Sequence, residues 1–160
     1  MPTSSPAGKE FIRAWVLRQP DIRSIVDVGA GEGTYSRLLG RDKRITAIEI
    51  FEPYVERYGL RDLYDEVIVG DARAMELPEA DCYVFGDVLE HMTRDEAVAL
   101  VDKVRGKHVI ISLPLGHFPQ GEMYGNVYET HLHTWTAAEA EKTFDFPIKM
   151  TPDGMGIFIR

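Results

Sequence analysis

Three sets of side chains in this 160-residue chain are reactive enough for ligand binding or catalysis. The first is Asp27-Val28-Gly29-Ala30-Gly31-Glu32-Gly33, which directly follows a β-branched run. Alternating glycines permit positive φ and leave N–H groups bare at a helix start, which suits a ligand that must approach the main chain. The spacing is G-x-G-x-G, not the G-x-G-x-x-G of dinucleotide sites. The second set is acidic. Glu49 closes the next apolar run, 20 residues beyond Gly29, where a carboxylate can accept both hydroxyls of a ribose. Asp71 and Asp87 follow the two runs after that, with Glu32 and Glu90 nearby. One acid at such a point is an ordinary helix cap; several at successive ends make a negative crevice.

The third set carries imidazoles. His91 ends Asp87-Val88-Leu89-Glu90-His91, and a later stretch holds His117, Tyr124, Tyr128, Glu129, His131 and His133. A histidine near neutral pH is the usual general base, so His91, His131 and His133, with Asp87, are the candidate catalytic residues. They equally suit contacts to a polar or sugar-like substrate. Asp87, Glu90 and His91 stand at i, i+3 and i+4, so one helical turn gives them a common face. With His131 or His133 they offer an oxygen- and imidazole-bearing divalent-metal site. Cys82 sits in an apolar run and reads as a core residue. The Lys103, Arg105, Lys107 cluster ends a helix, where cations favour the dipole.

The elements that must hold these groups alternate. β-Branched runs occur at 24–28, 44–50, 66–69, 81–85 and 108–113, with helical stretches at 34–39, 53–58, 72–75 and 94–104 between them. Thr93 and Glu96 have the spacing of a capping box. Strand–helix alternation with largely apolar strands predicts an α/β fold, a parallel sheet covered on both faces. The end differs: a helix over 136–144 with Thr136 as its cap, then runs at 147–151 and 155–160 flanking Pro152-Asp153-Gly154, the pattern of an antiparallel hairpin. Residues 9–18 place Phe11, Ile12, Trp15 and Val16 on one helical face, after a loose Pro/Ser/Gly-rich stretch at 1–8. Residues 1–20 thus read as an extension with a helix, and 21–160 as one domain. Residues 114–135 have little periodicity, and loops of that length usually carry function.

Composition narrows the partners. A net charge of −8 makes nucleic acid a poor partner, and no apolar run reaches the roughly 18 residues of a membrane span. A single cysteine forbids an internal disulfide. The expectation is a cytoplasmic protein.

The acidic rim repels a pyrophosphate, whereas S-adenosylmethionine carries a sulfonium cation and no phosphate. VDVGAGEG (26–33), AIEI (47–50), GDA (70–72) and FGDVLEH (85–91) resemble the class I S-adenosylmethionine-dependent methyltransferases, and in their order the resemblance spans Ser24 to Arg160. It implies a Rossmann-like, doubly wound, mostly parallel seven-stranded sheet of order 3-2-1-4-5-7-6 with a C-terminal antiparallel hairpin. It further implies S-adenosylmethionine as cofactor. Gly29, Ala30 and Gly31 would then lie along its methionine part, with Asp27 orienting that loop or binding the amino group. Glu49 would hold the ribose with Ile50 against the adenine, Asp71 and Ala72 would contact the adenine, and Asp87 would lie beside the methionine end and the substrate. The Asp87, Glu90, His91, His131 grouping is also similar to that of metal-dependent O-methyltransferases of the ubiquinone pathway and small-RNA 3′-end methyltransferases, with Asp87 in place of a Glu. The same string occurs in metal-free members, so no metal is expected. The resulting expectation is methyl transfer to oxygen or nitrogen of a small-molecule or glycan-like acceptor. A non-catalytic binding module acting through a partner, and an NAD-dependent oxidoreductase, are the alternatives.

Overall fold

Apolar β-branched residues form the strands, and the stretches between them cross back over the sheet. The computed structural model describes residues 5–160. The strands are β1 (Ser24–Val28), β2 (Arg44–Glu49), β3 (Glu66–Val69), β4 (Cys82–Gly86), β5 (His108–Pro114), β6 (Ile148–Met150) and β7 (Met155–Ile159). The helices are α1 (Lys9–Leu17), α2 (Thr34–Leu39), α3 (Glu52–Arg57), α4 (Leu60–Leu63), α5 (Arg94–Asp102) and α6 (Ala137–Thr143). One seven-stranded sheet runs β3-β2-β1-β4-β5-β7-β6. β1 to β5 are parallel, and β7 pairs antiparallel with both β5 and β6. The expected class, order and hairpin are all present.

The chain winds outward in one direction through β2 and β3, then in the other through β4 and β5. The β1–β4 junction is therefore the point where the strand order reverses, and open α/β sheets bind ligands beyond the carboxyl ends of the strands there. A core lies on each face. Val26, Val28, Phe85, Leu100, Trp135 and Phe158 belong to one, and Ile12, Ile25, Tyr35, Val84, Ile110 and Ile157 to the other. β4 is buried along its whole length, which explains why it reads as a continuous apolar run.

Local chemistry sets the element ends. The Thr93 hydroxyl accepts from the Glu96 N–H and the Glu96 carboxylate accepts from the Thr93 N–H, the reciprocal cap of α5. Thr136 caps α6 in the expected way. Two expectations are corrected and one short helix is added. Residues 72–75 form a turn and not a helix, and Lys103 Nζ holds that turn by donating to the carbonyls of Ala72, Arg73 and Met75. α4 goes unanticipated, being only four residues long. On α1, Ile12 and Val16 are buried, but Phe11 is 37% exposed while Lys9 is only 5% exposed. α1 is thus packed into the core and its buried face is turned toward Lys9. Of the stretch expected to be loose, positions 1–4 lie outside the described residues, and 5–8 form a turn ending at Gly8 with φ 77°.

The long segment after β5 is folded back. Leu115 bridges to the buried Trp135, and a 3-10 turn spans Val127–Glu129. The Glu90 carbonyl accepts from the N–H groups of both Leu132 (2.8 Å) and His133 (3.1 Å), tying this segment to the 3-10 turn Leu89–His91 that follows β4. No helix among the described residues is long and apolar enough to cross a membrane.

Candidate functional site

A cleft of about 510 Å³ opens at the carboxyl ends of the parallel strands, roofed by the segment after β5. That is within the usual range of a small-molecule site. Its walls are apolar, with Ile48, Ile50, Val88 and Leu100 among them. Glu49, Asp71, Asp87, Glu90, Glu129 and Asp153 also line it, against Arg73 as its one Lys or Arg among the described residues. The carboxylates that were hundreds of atoms apart along the chain are on one rim because parallel strands all end on the same side.

The glycine turn is anchored from below. Gly29 and Ala30 donate to the Ile48 carbonyl at the end of β2 (2.8 and 3.3 Å). Gly29, Gly31 and Gly33 have φ of 76°, 52° and 83°, where a side chain is strained. Space also requires the first: a Cβ on Gly29 would lie 2.5 Å from Val88 Cγ2. The Gly31 N–H donates to Glu49 Oε2, and the Phe51 N–H donates to Glu49 Oε1, both at 2.9 Å. Burial raises the Glu49 pKa, opposed by these two amides. Its carboxylate therefore fixes the turn as well as facing the cleft.

Asp71 is held by Arg73, whose Nε and Nη2 donate to its two oxygens at 2.8–3.1 Å while the Arg73 N–H caps Oδ1. The guanidinium hydrogen bonds lower the Asp71 pKa, and Arg73 Nη1 also reaches Glu96 at 3.0 Å. Asp87 adopts φ 53°, a left-handed conformation rare outside glycine, and its N–H donates to the Ser112 carbonyl at 2.7 Å. Asp27 does not reach the cleft lining. It is buried beneath the glycine turn, where Tyr64 Oη donates to its Oδ2 at 2.5 Å, and burial pushes its carboxyl up to about 7. Its other oxygen, Oδ1, has no hydrogen-bond partner among the described residues.

The end of the cleft at Glu90 and His91 is built differently. Glu90 is buried, its Oε2 has no hydrogen-bond partner among the described residues, and burial, then the nearby Asp87, raises its pKa well above the carboxylate range. His91 Nδ1 faces the Thr130 carbonyl at 3.4 Å and His131 Nδ1 donates to the Phe118 carbonyl at 2.6 Å. The two rings meet edge to face, 4.8 Å between centroids. One ligand atom from each of Glu90, His91 and His131 lies within 4.8 Å of the others. Burial pushes His91 down to about 4 and lowers His131, so both rings are neutral at neutral pH. His133 is directed away: its Nε2 donates to Glu139 at 3.1 Å and its ring stands on the buried Trp135. His131 lines the cleft and His133 does not. His117 and Tyr128 line the cleft, whereas Tyr124 is exposed with the Arg57 guanidinium over its ring.

Sequence reasoning overlooked Arg73 and Lys9. Arg73 could have been found from its place two residues after Asp71. Lys9 could not, since an isolated lysine at a helix start is ordinarily solvated.

The sequence model described as "Methyltransferase domain" matches residues 26–106. Among solved structures, the DhpI–SAM–HEP complex is 16% identical with a TM-score of 0.72, the match covering 96% of this chain and 86% of that one. Magnesium protoporphyrin IX methyltransferase from Synechocystis PCC 6803, with bound SAH, is 15% identical with a TM-score of 0.71, covering 94% and 80%. The mitomycin 7-O-methyltransferase MmcR is 15% identical with a TM-score of 0.66, covering 95% of this chain and only 53% of that one. At such identities the likeness concerns the fold. No curated protein sequence matches the chain.

Proposed function

Because the chain belongs to the methyltransferase-domain family, we propose that it transfers a methyl group from S-adenosylmethionine to an oxygen or nitrogen of a small-molecule or glycan-like acceptor. The observation that carries this reading is the meeting of a bare glycine turn with a ring of carboxylates at the point where the strand order reverses. A cationic, phosphate-free donor suits that rim, whereas the pyrophosphate of a dinucleotide would be set against six acids and one arginine. Several structurally similar proteins are small-molecule methyltransferases, including a 1,6-didemethyltoxoflavin N1-methyltransferase and the mitomycin enzyme, which favours an acceptor of that size.

The donor supplies an activated methyl group whose leaving group is a neutral thioether. The protein's part is to align and to manage a proton. In this reading Gly29, Ala30 and Gly31 pass close to the methionine portion. Glu49 retains lone pairs beyond its two amide bonds for the ribose hydroxyls, and Ile50 lies against the adenine. Asp71 and Ala72 contact the adenine edge, and Asp87 faces the methionine end. Alignment of acceptor and methyl group supplies several kcal/mol through near-attack geometry. His91 and His131, both neutral, are the groups available to receive a proton from the acceptor, a step worth about 10²–10⁴-fold. His131 is the better base, because its imidazole is the less deeply buried of the two. Calorimetry with S-adenosylmethionine and S-adenosylhomocysteine tests the reading, and no binding at millimolar ligand rejects it. Transfer of a labelled methyl group to an acceptor panel then separates an enzyme from a binding module.

A second reading concerns how the proton is lost. The grouping of Glu90, His91 and His131, with Glu90 Oε2 left unpartnered, favours a divalent cation that binds acceptor oxygens and lowers a hydroxyl pKa. Asp87 is occupied by other contacts and stands outside this set. Cobalt(II) titration followed by visible absorption tests it directly. Ligand-field bands lost in His131→Ala support the metal, and activity unchanged by chelator with no bands in wild type rejects it.

A further inference from the structure

A lysine ammonium taken out of water is costly unless it is fully partnered, so a buried lysine marks a place where the fold has a use for one. Lys9 is such a residue. It stands in the first turn of α1, just after Gly8, whose φ of 77° and close approach to Ile157 of β7 (2.8 Å from a Cβ placed there) fix where the helix starts. From there Nζ reaches under the cleft and donates to three acceptors on three elements. These are Tyr35 Oη on α2 (2.7 Å), Ser112 Oγ on β5 (3.1 Å) and Asp87 Oδ2 beyond β4 (3.5 Å). Burial lowers its pKa, and Asp87 first among nearby carboxylates counters that.

Two of these partners line the cleft and Lys9 does not. Both are held in positions that need support. Asp87 is in the left-handed region, a strained conformation that persists only when neighbours over-determine it. The Tyr35 ring lies against Gly86, where a Cβ would collide with it, and Lys9 Nζ is 4.6 Å from the ring centroid. Lys9 is thus a common tether of the Asp87 carboxylate and the Tyr35 ring, made from a helix outside the strand–helix alternation.

We propose that Lys9 is a positioning residue for donor binding: by holding Asp87 and Tyr35 it presets the cleft floor under the methionine end, making α1 a working part of the site. This rests on the reading of the cleft as a donor site. A merely structural ion pair would weaken the fold and leave the affinity of the folded protein alone, so binding discriminates between the two.

The test is calorimetry of S-adenosylhomocysteine with the full chain, at a temperature where circular dichroism shows every variant folded. Lys9→Met should bind 10- to 100-fold more weakly than wild type. In an Asp87→Asn background the same change should cost clearly less than in wild type, because of the two holds only that on Tyr35 is left to lose. In turnover assays the loss should fall on the donor KM and leave the acceptor KM unchanged. Should Lys9→Met not fold, Lys9→Gln, which also removes the charge, takes its place. Wild-type affinity in a folded Lys9→Met or Lys9→Gln protein overturns the proposal, as do equal losses in the two backgrounds. A wild type that does not bind at all overturns the donor reading together with it, whereas binding wild type with unaffected variants overturns the role of Lys9 alone.

Discussion

The two ends of the cleft treat their polar groups in opposite ways. At the glycine-turn end, carboxylates are satisfied by the chain itself: Glu49 by the amides of Gly31 and Phe51, Asp71 by Arg73. At the other end Glu90 is buried with an oxygen unpartnered, and two neutral imidazoles stand beside it, each with one nitrogen turned to a backbone carbonyl. Buried polar groups are ordinarily paired, so the cleft-facing Glu49 and Asp71 are held in place by the chain, whereas Glu90 keeps an oxygen for a further partner; beneath the glycine turn, Asp27 Oδ1 is likewise unpartnered. In the proposed function this difference divides the cleft into an end that binds the donor and an end that handles the acceptor's proton.

The largest effect expected from this contrast lies at the reactive end. His131→Ala should lower turnover by about 10²–10⁴-fold with donor affinity within about 3-fold of wild type, read by steady-state kinetics beside calorimetry. A matching loss of donor affinity would erase the division. Glu49→Ala should do the converse. Losing two amide bonds to a charged group, each worth about 1.5–3 kcal/mol before relaxation, should weaken donor binding by about 100-fold, and the turn should become more labile to amide exchange.

Asp27→Asn sharpens the comparison from beneath. The folded protein keeps a proton on Asp27 up to about pH 7, while the unfolded chain gives it up near the usual value of about 4. Its contribution to stability therefore declines as pH rises through that window and is level above it; Glu49 and Glu90, also raised by burial, slope the same way. Asparagine still accepts from Tyr64 and has no proton to lose. In urea unfolding the variant should gain on wild type from pH 4 to about pH 7 and hold level above it, and a constant difference across that range would show that Asp27 does not titrate there. The smallest effect belongs to Arg73→Ala. Its ion pair with Asp71 is about a third exposed, with side-chain exposures of 29% and 32%, so it contributes under about 1 kcal/mol. Donor affinity should fall by only about 3-fold.

Much of the fold was legible because its signals are local. β1 to β5 are short apolar runs, the α5 cap is written in Thr93 and Glu96, and the hairpin is announced by Pro152-Asp153-Gly154. The glycine turn and the acids after successive strands were legible for a topological reason: parallel strands joined by crossovers must end on one rim. What failed locally failed for a distant cause. The carbonyls of the 72–75 turn are held by a lysine about 30 residues away, and His133, unlike His131, is paired with Glu139 and absent from the cleft lining.

Periodicity, β-branching and turn chemistry act between near neighbours, so the amino-acid order alone determined the layered sheet, its switch point and the carboxylate rim. The partners of individual polar groups were decided only when the chain closed. Desolvation and hydrogen-bond geometry depend on atoms brought together from remote segments. For that reason Lys9, Tyr35, Asp87 and Ser112 meet in three dimensions with nothing in their spacing to announce it.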